Sequence, residues 1–128
     1  MTTEITAGIK ITVETMFQSE KSRPLQSQYL FAYRITIENE SDHTVQLKRR
    51  HWYIFDSNGN KSEIEGEGVV GEKPVLAPGE THQYVSGCNL VTDMGTMYGS
   101  YQMERKPDGK LFYVRIPLFD LIAPYKMN

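Results

Sequence analysis

Apolar and polar residues alternate with a period of two along most of this chain, and an extended strand turns that pattern into one apolar face. Ile9, Ile11, Val13 and Phe17 fall on one side of the first run, with Lys10, Thr12, Glu14 and Gln18 on the other. After a polar loop at 19–28, Tyr29, Phe31, Tyr33, Ile35 and Ile37 repeat the pattern and stop at Asn39, Glu40, Ser41 and Asp42. Further runs cover 45–56, 61–67, 80–87, 95–105 and 111–121, the last entered through Pro107, Asp108 and Gly109. Short strands at close spacing, separated by turn residues and without a helical window, predict an all-β antiparallel sandwich of about seven to eight strands. The whole chain, 1–128, is expected to form one such domain.

A chain of 128 residues buries roughly two-thirds of its unfolded surface, enough for a core without covalent staples. Fourteen basic residues stand against sixteen acidic ones, a formal charge of −2. That balance supplies no field for nucleic acid or anionic lipid, so neither is expected as a partner. Cys88 is the single cysteine, which rules out an intramolecular disulfide and suits a reducing compartment. The first residues, Met1 to Thr6, lack the basic and apolar regions of a secretion signal. No run of apolar residues is long enough for a spanning helix, so membrane insertion is not expected and the cytoplasm is the expected location.

The segment 45–67 fixes more detail. Asp56 to Asn60 mark a hairpin whose loop length sets the register. A two-residue loop at Asn58 and Gly59 would set Trp52 against Glu65. A three-residue loop, Ser57 to Gly59 with Gly59 left-handed, sets Trp52 against Ile64 and Ile54 against Ser62. The other face then aligns Arg49 with Glu67, His51 with Glu65 and Tyr53 with Glu63. Facing opposite charges each contribute about 0.2–1 kcal/mol, and a one-residue slip would expose every apolar side chain. The three-residue loop is therefore expected, with Trp52 and Ile64 buried together. Val45 and Leu47 have the wrong parity to share a face with Trp52, which predicts a β-bulge near Arg49–His51.

Arg50-His51-Trp52, then Gly66-Glu67-Gly68-Val69-Val70-Gly71-Glu72, then Leu76-Ala77-Pro78-Gly79-Glu80 resemble the bacterial ApaG family. Tyr84-Val85-Ser86-Gly87-Cys88 and Gly95-Thr96-Met97-Tyr98-Gly99-Ser100-Tyr101 continue the resemblance over nearly the whole chain. It implies a sandwich similar to fibronectin type III and immunoglobulin domains. Related domains in eukaryotic F-box subunits and a polymerase-delta interacting protein read as interaction modules. The bacterial family is linked by phenotype to cobalt resistance and magnesium efflux, and by gene neighbourhood to diadenosine tetraphosphate hydrolysis. It carries over no catalytic residues.

Gly66, Gly68 and Gly71 complete a G-x-G-x-x-G string, which holds pyrophosphate when it follows a strand and opens a helix. Pro74 leaves no room for that helix, and Glu67 and Glu72 add negative charge, so a backbone role for the glycines is expected. His43, His51 and His82 lie in a turn, on a strand face and at a strand start, a spacing without metal-site character. Glu63, Glu65 and Glu67 share a strand face with arginine and histidine opposite, which reads as a solvated charge ladder. Met94, Met97 and Met103 are expected to fill core gaps. Ser86 lacks the nucleophile elbow, Cys88 is expected as a buried, inert thiol, and Lys48-Arg49-Arg50 reads as solvated strand edge.

These readings lead to a non-catalytic binding module, without cofactor, that meets a protein partner through loops or an exposed strand edge. A second copy of the chain remains open as that partner. The candidate binding residues are Gly66, Gly68, Gly71, Arg50 and His51. Two alternatives stand beside it: nucleotide or dinucleotide polyphosphate binding through the Gly66–Gly71 loop, and direct divalent-cation binding.

Overall fold

The computed structural model describes residues 1–126, and the periodic runs appear as strands in two sheets packed face to face. In chain order the strands are β1 (Thr2–Thr6), β2 (Ile9–Phe17), β3 (Tyr29–Asn39), β4 (Val45–Asp56), β5 (Lys61–Glu67), β6 (Val75–Leu76), β7 (Thr81–Leu90), β8 (Met94–Arg105) and β9 (Lys110–Ile122). One sheet runs β1-β2-β3-β7 and the other β5-β4-β8-β9, with β6 also paired to β4; the named pairings are antiparallel. Among the described residues the nine strands exceed the expected seven to eight. The extra two are β1, whose alternation is masked by threonines, and β6, too short to show a period.

Inward residues from both sheets form the core. Ile9, Ile11, Val13, Ile35 and Ile37 meet Leu47, Trp52, Tyr101, Met103, Val114 and Leu121. Trp52 sits among aromatic rings, its centroid 5.3 Å from Tyr33 and 5.9 Å from Phe119. Asn39 is a buried polar residue whose amide donates to the carbonyls of His43 and Leu76, while its oxygen accepts from Ser41. Its hydrogen-bonding capacity is met, so it pins two loops at little cost.

The β4–β5 hairpin has the expected register, with Trp52 opposite Ile64, Ile54 opposite Ser62 and His51 opposite Glu65. Asp56 N donates to Asn60 O and Gly59 N to Asp56 O, closing the three-residue loop with Gly59 at φ +95°. The parity break is present one residue earlier than expected: the β4–β8 register shifts between Leu47 and Arg49, leaving Lys48 as the extra residue.

Three expectations about side chains are corrected. Trp52 is 3% exposed, but Ile64 is 45% exposed, because β5 ends its sheet and the facing sheet stops at β7. Met97 and Met103 are core residues, whereas Met94, at a strand start, is exposed. Arg50 does not belong to a solvated edge. It lies on central strand β4 and, after the bulge, shares the inward parity of Trp52 and Ile54.

The sandwich is closed along one side and open along the other. β9 packs on β1 and β2, with Arg115 N donating to Thr6 Oγ1 and Arg115 near Glu4. Among the described residues no comparable contact joins β7 to β5. Because Trp52 packs against both sheets, Trp52→Ala should cost about 3–5 kcal/mol. Urea denaturation followed by circular dichroism will read this as a large fall in midpoint.

Candidate functional site

The open side exposes a groove between the β7 edge and the inner faces of β4 and β5. At one end a cleft of about 320 Å³ is floored by Tyr33, Trp52, Ile54, Leu90 and Met97 and rimmed by polar groups such as Asp56, Asn60 and Ser62. An apolar floor with a few polar rim groups is the general form of a binding cleft. Cys88 lines it at 7% exposure. Burial, with a smaller contribution from Asp56, pushes its thiol up to about 11, so it is protonated at neutral pH and a poor nucleophile.

Toward the start of β7 lies Arg50, close enough to Tyr84 to act on it electrostatically. Arg50 lies across Gly66, where an added Cβ would stand 2.8 Å from both Nη1 and Nη2. Arg50 Nη1 donates to Glu67 O at 2.9 Å and to Gly68 O at 3.0 Å. No carboxylate reaches ion-pair distance of Arg50 among the described residues. The Tyr84 and Tyr101 hydroxyls hydrogen-bond each other nearby. Burial holds both far above the usual phenol range, and Arg50 offsets this only in part.

The glycine string folds as a plug. Val69 N donates to Glu72 O and Glu72 N to Val69 O, so Val70 and Gly71 form a two-residue turn, at φ +48° and +77°. The turn drives Val69 into the core at 1% exposure and brings Glu72 within 3.6 Å of His82 on β7. Gly68, at φ +64°, donates its N–H to Lys48 O, the carbonyl of the bulge. A Cβ at Gly68 would lie 2.3 Å from Glu72 O, while at Gly71 it would meet open space. The expected roles are met: close approach at Gly66, and positive φ at Gly68 and Gly71. The amides of Gly68, Val69 and Glu72 are already hydrogen-bonded within the chain, and no helix follows.

His51 faces the outer surface, away from Arg50. Its Nδ1 lies 3.0 Å from Glu65 and its Nε2 3.2 Å from Glu63. Ligand atoms of these three residues fall within 4.8 Å of one another, both carboxylates are exposed, and Nε2 has no hydrogen-bond partner among the described residues. Glu67 pairs with Lys73 at 3.4 Å and not with the Arg49 opposite it. His51, Tyr53, Tyr98 and Phe55 stack in series, with neighbouring centroids 4.5–5.8 Å apart, so their faces largely cover one another.

The sequence candidates therefore divide. The Arg50 guanidinium meets Gly66 and the Gly68 carbonyl, and Gly71 stands apart in open space at the turn. The His51 ring lies on the outer face, where a shallow pocket lined by His51, Glu65 and Tyr113 also reaches Arg50. The feature that sequence reasoning missed is the edge of β7. This strand runs ten residues without a Lys, Arg, Asp, Glu or Pro, and it pairs with β3 without a register shift. An uncharged run could have been noticed, but its edge position depends on strand order.

The ApaG domain model matches residues 19–105. Protein ApaG of Brucella canis is 48% identical over 124 residues, 97% of this chain and 95% of the relative. Protein ApaG of Brucella anthropi is 48% identical over 120 residues, 94% of this chain and 92% of the relative. A crystal structure of a Bordetella pertussis protein described as ApaA is 43% identical, with a TM-score of 0.88, covering 91% of this chain and 94% of that one.

The glycine geometry ranks two substitutions. Gly71→Ala should lose about 1 kcal/mol through backbone conformation alone. Gly68→Ala adds a steric clash to the same strain and should lose clearly more. Melting curves of the two variants will give the order; equal losses would contradict the plug geometry.

Proposed function

The chain belongs to the ApaG domain family, and from that premise we propose that it is a non-catalytic binding module that takes an extended segment of a partner protein along the open edge of β7. The observation that carries this reading is the unguarded state of that edge. A sheet edge presents unpaired N–H and C=O groups, and proteins normally blunt it with charges, proline, bulges, shortness or cover. β5, the other edge on the open side, carries Lys61, Glu63, Glu65 and Glu67. β1 is covered by β9, and β9 itself has a register shift at Pro117 and Leu118, opposite Tyr98 of β8. β7 has none of these devices.

A strand added to β7 would continue the β1-β2-β3-β7 sheet. Its main chain would supply affinity, and its alternate side chains would enter the groove. The apolar cleft suits one of those side chains. A protonated Cys88 and the near-neutral charge support a binding role with a protein partner over catalysis or nucleic-acid binding. The two-sheet arrangement suits a fibronectin type III or immunoglobulin kind of sandwich, and a reducing, cytoplasmic setting suits the single thiol. The polyphosphate alternative has less behind it, because the Gly68, Val69 and Glu72 amides already have partners, and the divalent-cation alternative rests only on His51 beside the two exposed carboxylates of Glu63 and Glu65.

The test is selection of peptides from a random displayed library on the immobilised chain, followed by amide hydrogen exchange of the best complex. The expected result is slowed exchange in Thr81–Leu90, with binding lost on N-methylation of alternate peptide amides. Protection confined to other segments, or no selected peptide, would overturn the reading.

A further inference from the structure

The groove changes character along its length in step with the inward residues of β7. Cys88 and Leu90 lie beside the apolar cleft with Ile54 and Met97. Ser86 is paired across β3 with Tyr33, whose ring packs on Trp52, which in turn pairs with Ile64. Tyr84 bonds to Tyr101, which is the β8 partner of Arg50. Two steps along an inward strand face therefore carry the groove from an aliphatic floor, past the indole, to a guanidinium.

That guanidinium is unusual in its partners. Its inward parity removes it from the outer-face carboxylates Glu63, Glu65 and Glu67. Two backbone carbonyls occupy Nη1, and the Nε and Nη2 hydrogens have no acceptor among the described residues. A half-buried arginine without a carboxylate leaves its charge poorly compensated, and a bound carboxylate would restore both the charge balance and the missing hydrogen bonds.

We propose that the groove reads an acidic side chain in the bound segment, at a fixed spacing from an apolar one. This inference rests on the β7-edge reading above. A strand lying antiparallel to β7 passes Cys88, then Ser86, then Tyr84 in its own N-to-C direction. Its inward positions are then apolar, apolar and acidic, with one outward residue between each. The aliphatic side chain fills the cleft, the middle one covers Trp52 and Ile64, and the Asp or Glu carboxylate takes the open hydrogens of Arg50 beside the Tyr84 hydroxyl. The antiparallel sense follows from the better pairing of antiparallel ladders.

The probe is a blocked, fluorophore-labelled peptide, Thr-Leu-Thr-Val-Thr-Glu-Thr, titrated against the full chain by anisotropy. Replacing its Glu by Gln should weaken binding about tenfold, the worth of one charge-assisted hydrogen-bonded contact. The same replacement should matter no more than about twofold on an Arg50→Gln chain, because the coupling is then gone. The order-reversed peptide, Thr-Glu-Thr-Val-Thr-Leu-Thr, should bind more weakly than the original. If Arg50→Gln fails to fold, salt dependence on the unmodified chain decides: added salt should weaken the Glu peptide more than the Gln peptide. Equal affinity of the Glu and Gln peptides, with β7 amides still protected in both complexes, would overturn the acidic specificity and leave the edge reading intact. No binding by any of these peptides, with no change in β7 exchange, would overturn both.

Discussion

One extra residue in a strand decides which side chains this fold can use. Lys48 interrupts the pairing of β4 with β8, and every residue after it on β4 changes face. Without that step, Val45 and Leu47 could be buried only by exposing Trp52 and Ile54, since side chains alternate strictly along a strand. With it, both halves of β4 feed the core. Arg50 turns inward toward the tyrosine pair, and His51 turns outward toward Glu63 and Glu65. The bulge is also tied to the glycine loop, because Lys48 O accepts from Gly68 N. The same loop seats Val69 in the core and offers two carbonyls to Arg50. Bulge, plug and arginine form one connected unit.

The second organising fact is the asymmetry of the sandwich. Contacts of β1 and β2 with β9 seal one side, where Arg115 is held by Thr6 and Glu4. On the other side the plug reaches β7 through Glu72 and His82, near the start of the strand. Beyond that point Tyr84, Ser86, Cys88 and Leu90 share the inward face of β7, and Cys88 and Leu90 line the open cleft. The apolar cleft and the unguarded edge are thus two consequences of one open seam. Their coincidence supports an extended ligand, since such a segment uses the edge with its backbone and the cleft with its side chains.

Local pattern and turn chemistry were enough to read seven of the strands and the β4–β5 register. Trp52, the charge ladder and Gly59 all pointed to one loop length. The need for a bulge was also legible from the parity of Val45 and Leu47 against Trp52. Its placement at Lys48 was not, because a run of Lys, Arg and Arg has no apolar marker to show where the face changes. For the same reason Arg50 read as solvated. Ile64 was misjudged because burial depends on what the opposite sheet covers, and strand order is not a local property. The backbone role of the glycines was visible through Pro74, whereas their tie to Lys48 and Arg50 was not, since those partners are far apart in sequence. The β7 edge stayed hidden for the reason that misplaced Ile64.

The parity switch can be tested by removing it. Deleting Lys48 leaves the composition almost intact but returns Trp52 to the outward phase set by Val45 and Leu47. The chain has one tryptophan, so its emission through a urea titration reports this residue alone. The expected result is red-shifted emission in buffer, with no cooperative transition on adding urea. A blue-shifted emission and an unchanged urea midpoint would contradict the claim that the bulge at Lys48 directs Trp52 and Arg50 inward.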